Sequence, residues 1–130
     1  MEGDILMKIQ ESAENYLETI LMLGKAKGNV RSIDIATALS FSKPSVSVAM
    51  KNLRENGYIL MDKDGFIALT EKGHEIAETI YERHTLLSSF LMYLGVSKET
   101  ATQDACRIEH VISPESFEAI KKHISIYKKK

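Results

Sequence analysis

The sequence predicts a mainly α protein: an N-terminal winged helix-turn-helix with a small β-hairpin wing, followed by a second, helical domain. Three observations carry this. Apolar residues recur at three- and four-residue spacing over most of the chain. β-Prone runs stand together at one place, Tyr58–Asp62 and Phe66–Leu69, joined by Lys63-Asp64-Gly65. That hairpin directly follows two short helical segments separated by a tight break at Ser40–Ser42, the order of a helix-turn-helix with a wing.

From Ser12 onward, Ala13, Tyr16, Leu17, Ile20, Leu21 and Leu23 mark one face of an amphipathic helix, with Ser12 as its N-cap and Gly24 to Gly28 as its end. Ser32 caps a short helix through Leu39, apolar at Ile33, Ile35, Ala36 and Leu39. Ser42 suits the N-cap of a third helix, Lys43 to Asn56, because Pro44 is tolerated in the first turn and Gly57 supplies a left-handed stop. Val46, Met50 and Leu53 form its buried stripe. In the hairpin, Asp64-Gly65 favours a tight turn. Thr70 caps a long helix to Leu94, with Ile76, Ile80, Leu87, Leu91 and Leu94 on its apolar face and Gly95 as stop. Ser97 caps a helix to about Ile112, and Ser113-Pro114 opens the last, where Phe117, Ile120 and Ile124 repeat at helical spacing. The expected domains are residues 1–72 and 73–130, with no internal repeat.

Composition narrows the class. In 130 residues, 44% apolar content suffices for a packed core, and no apolar run approaches the roughly 20 residues that a membrane span needs. The first dozen residues carry Glu2, Asp4 and Glu11 without a basic segment, so no secretory signal is expected and the expected location is cytoplasmic. The single cysteine, Cys106, fits a reducing compartment. Net charge is −1, but its distribution is uneven. Residues 1–24 hold one Lys against five acids, residues 25–63 seven Lys/Arg against three acids, and the remainder is nearly balanced. The run Lys128, Lys129, Lys130 is expected to be a solvated tail.

The basic middle coincides with the third helix, which is sized to enter a DNA major groove about 12 Å wide. Its non-core positions are Ser42, Lys43, Ser45, Ser47, Val48, Lys51, Asn52 and Arg54, with only Glu55 opposing. Lys43, Lys51 and Arg54, with Arg31 and the wing residue Lys63, suit phosphates; small residues at Ser42, Pro44 and Ser45 allow close backbone approach. Base reading falls to Ser45, Ser47 and Val48, the last suited to a thymine methyl. Taken singly, each residue equally suits an ordinary solvated helix; the order of elements is the specific signal.

A second constellation lies in Asp104–His110, where Cys106, Glu109 and His110 at i, i+3 and i+4 share one helix face. A thiolate, a carboxylate and an imidazole there can share one ion. His84 lies late in the preceding long helix, and Asn15 and Glu18 are i, i+3 neighbours on the first; packed together, these helices would complete a mixed N/O/S site for a first-row divalent metal. The same spacings also suit solvated helices, and a lone Cys is commonly a small core residue. His74 and His123 read as exposed. No paired-His protease spacing, Gly-rich phosphate loop or Ser nucleophile elbow is present, so an enzyme is not expected and neither is a small organic substrate.

Glu14-Asn-Tyr-Leu-Glu-Thr-Ile20, Pro44-Ser-Val-Ser47, Arg83-His84 with Leu86, and above all Ala105-Cys-Arg-Ile-Glu-His-Val-Ile-Ser113 resemble the DtxR/MntR metalloregulators over nearly the whole chain. The resemblance implies a bacterial repressor that dimerises through the helices after the wing and binds a palindromic operator when loaded with Mn2+ or Fe2+, with Zn2+ or Co2+ as further candidates. It makes residues 73–130 the dimerisation and metal-binding domain, and the chain a short form without the SH3-like domain of longer iron-type members. Cys106, Glu109 and His110 match the iron-type ligand triplet, His84 a histidine ligand of both branches, and Glu18 a manganese-type carboxylate. Asn15 stands where the iron type has Met and the manganese type Asp, and an amide is a weaker ligand for a hard cation. Ser88 and Thr102 replace further iron-type ligands, so a second site is expected to be altered or absent.

The expected mechanism is an ion joining the first helix to the helices bearing His84 and Cys106–His110, which fixes two winged domains at operator spacing. Three rivals stand beside it: a winged-helix regulator whose metal site Asn15 has disabled, a thiol or metal enzyme, and a helical interaction module whose basic helix binds protein.

Overall fold

The computed structural model describes residues 2–128, with side chains from Glu11 to Ser125. Lys129 and Lys130 of the terminal run lie outside the described residues. In chain order the elements are α1 (Glu2–Lys27), α2 (Ser32–Leu39), α3 (Lys43–Glu55), β1 (Ile59–Met61), β2 (Ile67–Leu69), α4 (Glu71–Tyr93), α5 (Lys98–Val111) and α6 (Pro114–Lys128). They form two compact units, Met1–Glu78 and Thr79–Lys130, and the division falls inside α4. The boundary read from the sequence, 72/73, lies in the first turn of the same helix.

In the first unit, α1 packs on α2 and β2, α2 on α3, and α3 on β1. Ser12 is not its N-cap: α1 starts at Glu2, because no proline interrupts the stretch and hydrogen bonding continues through Ser12. Gly24 is likewise inside α1, and the stop is Gly28, at φ +87°, whose N–H donates to the Gly24 carbonyl at 3.0 Å. The cap of α2 is Arg31 rather than Ser32. There the Asp34 carboxylate accepts from the Arg31 backbone N–H at 2.9 Å and from Lys27 Nζ at 2.6 Å, so an acid three residues inside does the capping. The Lys27 hydrogen bond, then the Arg31 N–H, hold the Asp34 carboxyl below its usual value.

Helix α3 matches its sequence reading closely. Ser42 Oγ accepts from the Ser45 N–H at 3.3 Å, Pro44 sits in the first turn, and Val46, Met50 and Leu53 are buried. Ile33 of α2, read as apolar-faced, is exposed. Just before α3, Phe41 meets Tyr16 of α1 edge-on, with centroids 6.0 Å apart, and burial raises the Tyr16 phenol.

The wing is an antiparallel pair with Ile59 opposite Leu69, Leu60 opposite Ala68 and Met61 opposite Ile67. Its connection is the five residues 62–66, so the strands are shorter than the runs Tyr58–Asp62 and Phe66–Leu69 predict. Gly65, at φ +84°, donates to the Asp62 carbonyl at 3.1 Å, and the Asp62 carboxylate accepts from the Asp64 and Phe66 N–H groups, each at 2.9 Å. Val30 adds a short bridge, accepting from the Ile67 N–H at 2.7 Å. At the base of the wing, Thr70 caps α4: its Oγ1 accepts from the Gly73 N–H at 3.1 Å and donates to the Gly57 carbonyl at 2.7 Å. Gly73 lies so close to Tyr58 that a Cβ there would stand 2.0 Å from the Tyr58 carbonyl oxygen.

The second unit holds the rest of α4 with α5 and α6 around Leu87, Ala105 and Phe117, flanked by Leu86, Ile108, Ile112 and Ile120. Ser97 Oγ accepts from the Thr100 N–H at 3.3 Å and Ser113 Oγ from the Ser116 N–H at 3.1 Å, as their positions before the helices predict. Leu94 is a correction. It lies past the end of α4, beside Gly95 at φ +102°, and is exposed rather than part of an apolar face. Among the described residues no helix is long and apolar enough to cross a membrane.

Candidate functional site

Two surfaces carry the candidate residues, one in each unit. On α3 of the first unit, Lys43, Pro44, Ser45, Ser47, Val48, Lys51 and Arg54 are all exposed, opposite the buried Val46, Met50 and Leu53. Val48 is 61% exposed. At the start of this helix the Ser42 hydroxyl donates to Ser45 Oγ at 2.8 Å, so the two serines form one preset polar pair at the capped end.

Lys63 is exposed in the wing loop. Arg31 reaches the wing, with its guanidinium carbon 4.2 Å from the centre of the Phe66 ring. At the base, Lys72 Nζ lies 4.5 Å from the centre of the Tyr58 ring. Sequence reasoning assigned nothing to Phe66, Tyr58 or Lys72. An aromatic at each end of the hairpin was the available signal, but which cation each would hold depends on the bridge at Val30 and the close approach of α4.

In the second unit, α4 and α5 bring His84 and Glu109 together, with Nδ1 2.8 Å from Oε2. Glu109 is wholly buried, at 0% exposure. His110 Nε2 lies 3.4 Å from Glu109 Oε1, yet Oε1 receives no hydrogen bond. A buried carboxylate oxygen left without a donor costs about 1–3 kcal/mol or more, a cost that a cation would remove. The donors are imidazole nitrogens and a carboxylate, a set suited to a first-row divalent metal, so the residues present fit such an ion.

Cys106 is exposed on α5, and the close His–carboxylate contacts form without it. On α1 of the first unit, Glu18 is buried, at 5% exposure, and Asn15 is half-buried. The Ser88 and Thr102 hydroxyls donate to carbonyls of their own helices, Thr85 at 3.2 Å and Lys98 at 2.8 Å. His74 and His123 are exposed, as their positions predict.

Comparison with known proteins accords with this division. Residues 8–67 match the family model described as the iron dependent repressor N-terminal DNA binding domain, and residues 70–129 the one described as its metal binding and dimerisation domain. The transcriptional regulator MntR of Escherichia coli O6:H1 is 36% identical over 112 residues, 86% of this chain and 72% of that protein. The HTH-type transcriptional regulator MntR of Bacillus subtilis is 38% identical over 109 residues, 84% of this chain and 77% of that protein. Among solved structures, the manganese regulator SloR superposes with a TM-score of 0.77 at 31% identity, covering 87% of this chain and 53% of that one. A manganese-dependent transcriptional repressor in complex with manganese gives 0.79 at 25% identity, covering 87% and 52%. The chain thus spans about half the length of these solved chains. A regulator without metal control is not favoured, since the C-terminal match is to a metal-binding domain. The chain belongs to the iron-dependent repressor family of the DtxR/MntR type, DNA-binding transcriptional regulators with a winged helix-turn-helix and a metal-binding, dimerising helical domain.

Proposed function

We propose that this chain represses transcription in the cytoplasm when loaded with Mn2+ or Fe2+, binding a palindromic operator as a homodimer and transforming no small organic substrate. The observation that carries the metal reading is the buried Glu109 carboxylate, set between His84 and His110 with one oxygen lacking a donor. Glu109, His84 and His110 hold the ion, and the sequence offers Cys106 on α5 and Glu18 and Asn15 on α1 as further ligands. The ion supplies a fixed positive charge that cross-links its ligands.

On DNA, Lys43, Lys51, Arg54, Arg31 and Lys63 take phosphates, while the Ser42–Pro44 end of α3 allows close approach. Ser45, Ser47 and Val48 meet base edges, with Val48 on a thymine methyl. The test is operator affinity with and without Mn2+, Fe2+, Co2+ and Zn2+, for the parent and Glu109→Gln. Metal is expected to raise the parent's affinity about 5- to 150-fold, the usual range of such coupling, and to leave Glu109→Gln unchanged. Equal parent affinity in every condition removes metal control.

A further inference from the structure

Arg83 stands next to His84 on α4, and neither the DNA surface nor the ligand set uses it. Its Nη1 carries two N–H groups and spends both on the end of α5, donating to the Glu109 carbonyl and to the Ile112 carbonyl, each at 3.1 Å. These carbonyls lie at the C-terminal end of the helix, where backbone acceptors lack intrahelical partners and a cation is favoured by the helix dipole. Below, the guanidinium carbon lies 5.6 Å from the centre of the Phe117 ring, in the core between α4, α5 and α6. Arg83 Nε is buried and has no hydrogen bond among the described residues. Leaving a guanidinium N–H unsatisfied for capping alone is expensive, which argues that the position of Arg83 matters more than its contribution to stability.

Glu109 is therefore gripped twice by consecutive residues of α4: Arg83 holds its main-chain carbonyl and His84 its carboxylate. We infer that Arg83 is a positioning residue of the metal centre, a two-pronged clamp that fixes the last turn of α5 so that the Glu109 carboxylate stays at ligating distance from His84. The inference rests on the metal reading above. Lysine replaces the arginine only in part: its ammonium can also offer two N–H groups from one nitrogen, but on a flexible stem and without the planar guanidinium that lies over the Phe117 ring. Supporting residues of this kind change metal affinity by about 10- to 100-fold when removed.

The test uses the full chain. Mn2+ affinity and the visible absorption of the Co2+-loaded protein are measured for the parent, Arg83→Lys, Arg83→Met and Glu109→Gln, with metal-free unfolding followed in parallel. Weakening of Mn2+ binding by about 10- to 100-fold in Arg83→Met is expected, with a smaller loss in Arg83→Lys and a shifted Co2+ spectrum at saturating metal in both. A purely structural role would lower the unfolding temperature and leave the saturated spectrum unchanged. Parent-like affinity and spectrum in Arg83→Met overturn the clamp, and Arg83→Gln, whose amide is too short to reach both carbonyls, is measured in the same way should Arg83→Met fail to fold. Parent-like binding in Glu109→Gln instead overturns the metal reading, and the clamp with it.

Discussion

Replacing Gly73 with alanine sets helix propensity against tertiary packing. Propensity alone favours alanine inside a helix by about 1 kcal/mol. The added Cβ would stand 2.0 Å from the Tyr58 carbonyl oxygen and 3.0 Å from its carbon, where ordinary van der Waals contact begins at 3.4 Å. The obstacle is backbone and cannot rotate away. The same carbonyl accepts from the Thr70 N–H at 3.1 Å, and Gly73 itself donates to Thr70 Oγ1, so relief requires moving the first turn of α4 off the base of the wing. Overpacking costs about 1–3 kcal/mol and a loosened hydrogen bond about 1 kcal/mol, so the net loss is about 1–3 kcal/mol after the propensity gain. For a unit of this size that is a fall of roughly 4–24 °C in unfolding temperature, followed by circular dichroism. Gly24→Ala is the control: it lies inside α1 with nothing within 4 Å of the added Cβ, and stabilises by up to about 1 kcal/mol. If Gly73→Ala unfolds at or above the parent temperature, the close approach at Tyr58 is not what constrains this position.

Two further outcomes follow from the first unit. Asp34 has its carboxyl held below the unfolded value of about 3.9, so its contribution is complete above that pH and is lost as pH falls through the lower folded value. The stability gap between the parent and Asp34→Asn, measured by urea titration, is thus constant near neutrality and closes below about pH 4. Lys51→Gln on the exposed face of α3 lowers operator affinity similarly across sequences and reduces the slope of log affinity against log salt by about 0.9; an unchanged slope means that Lys51 does not meet a phosphate.

How much was legible in the sequence follows from the range of each interaction. The helices, the caps at Ser42, Thr70, Ser97 and Ser113, the buried stripe of α3 and the place of the wing are set within a few residues, by period and by hydroxyls just before helix starts. The α1 start at Glu2 and the Arg31 cap were misread because continuation of hydrogen bonding and an Asp34–Lys27 pair overrode the nearest serine. The spacing of Cys106, Glu109 and His110 put three donors on one side of α5, yet could not say which would be buried.

The sequence by itself determined the element order, the basic face of α3 and the identity of the metal-ligating candidates, because these depend on local periodicity and residue chemistry. Only the tertiary structure decided that Glu109 is wholly buried against His84 while Cys106 is exposed, that Arg31 rests on Phe66, and that Arg83 grips the end of α5. Those outcomes join residues about 25 or more positions apart, His84 to Glu109 and Arg31 to Phe66, and are fixed by how helices and wing pack, which no local spacing encodes.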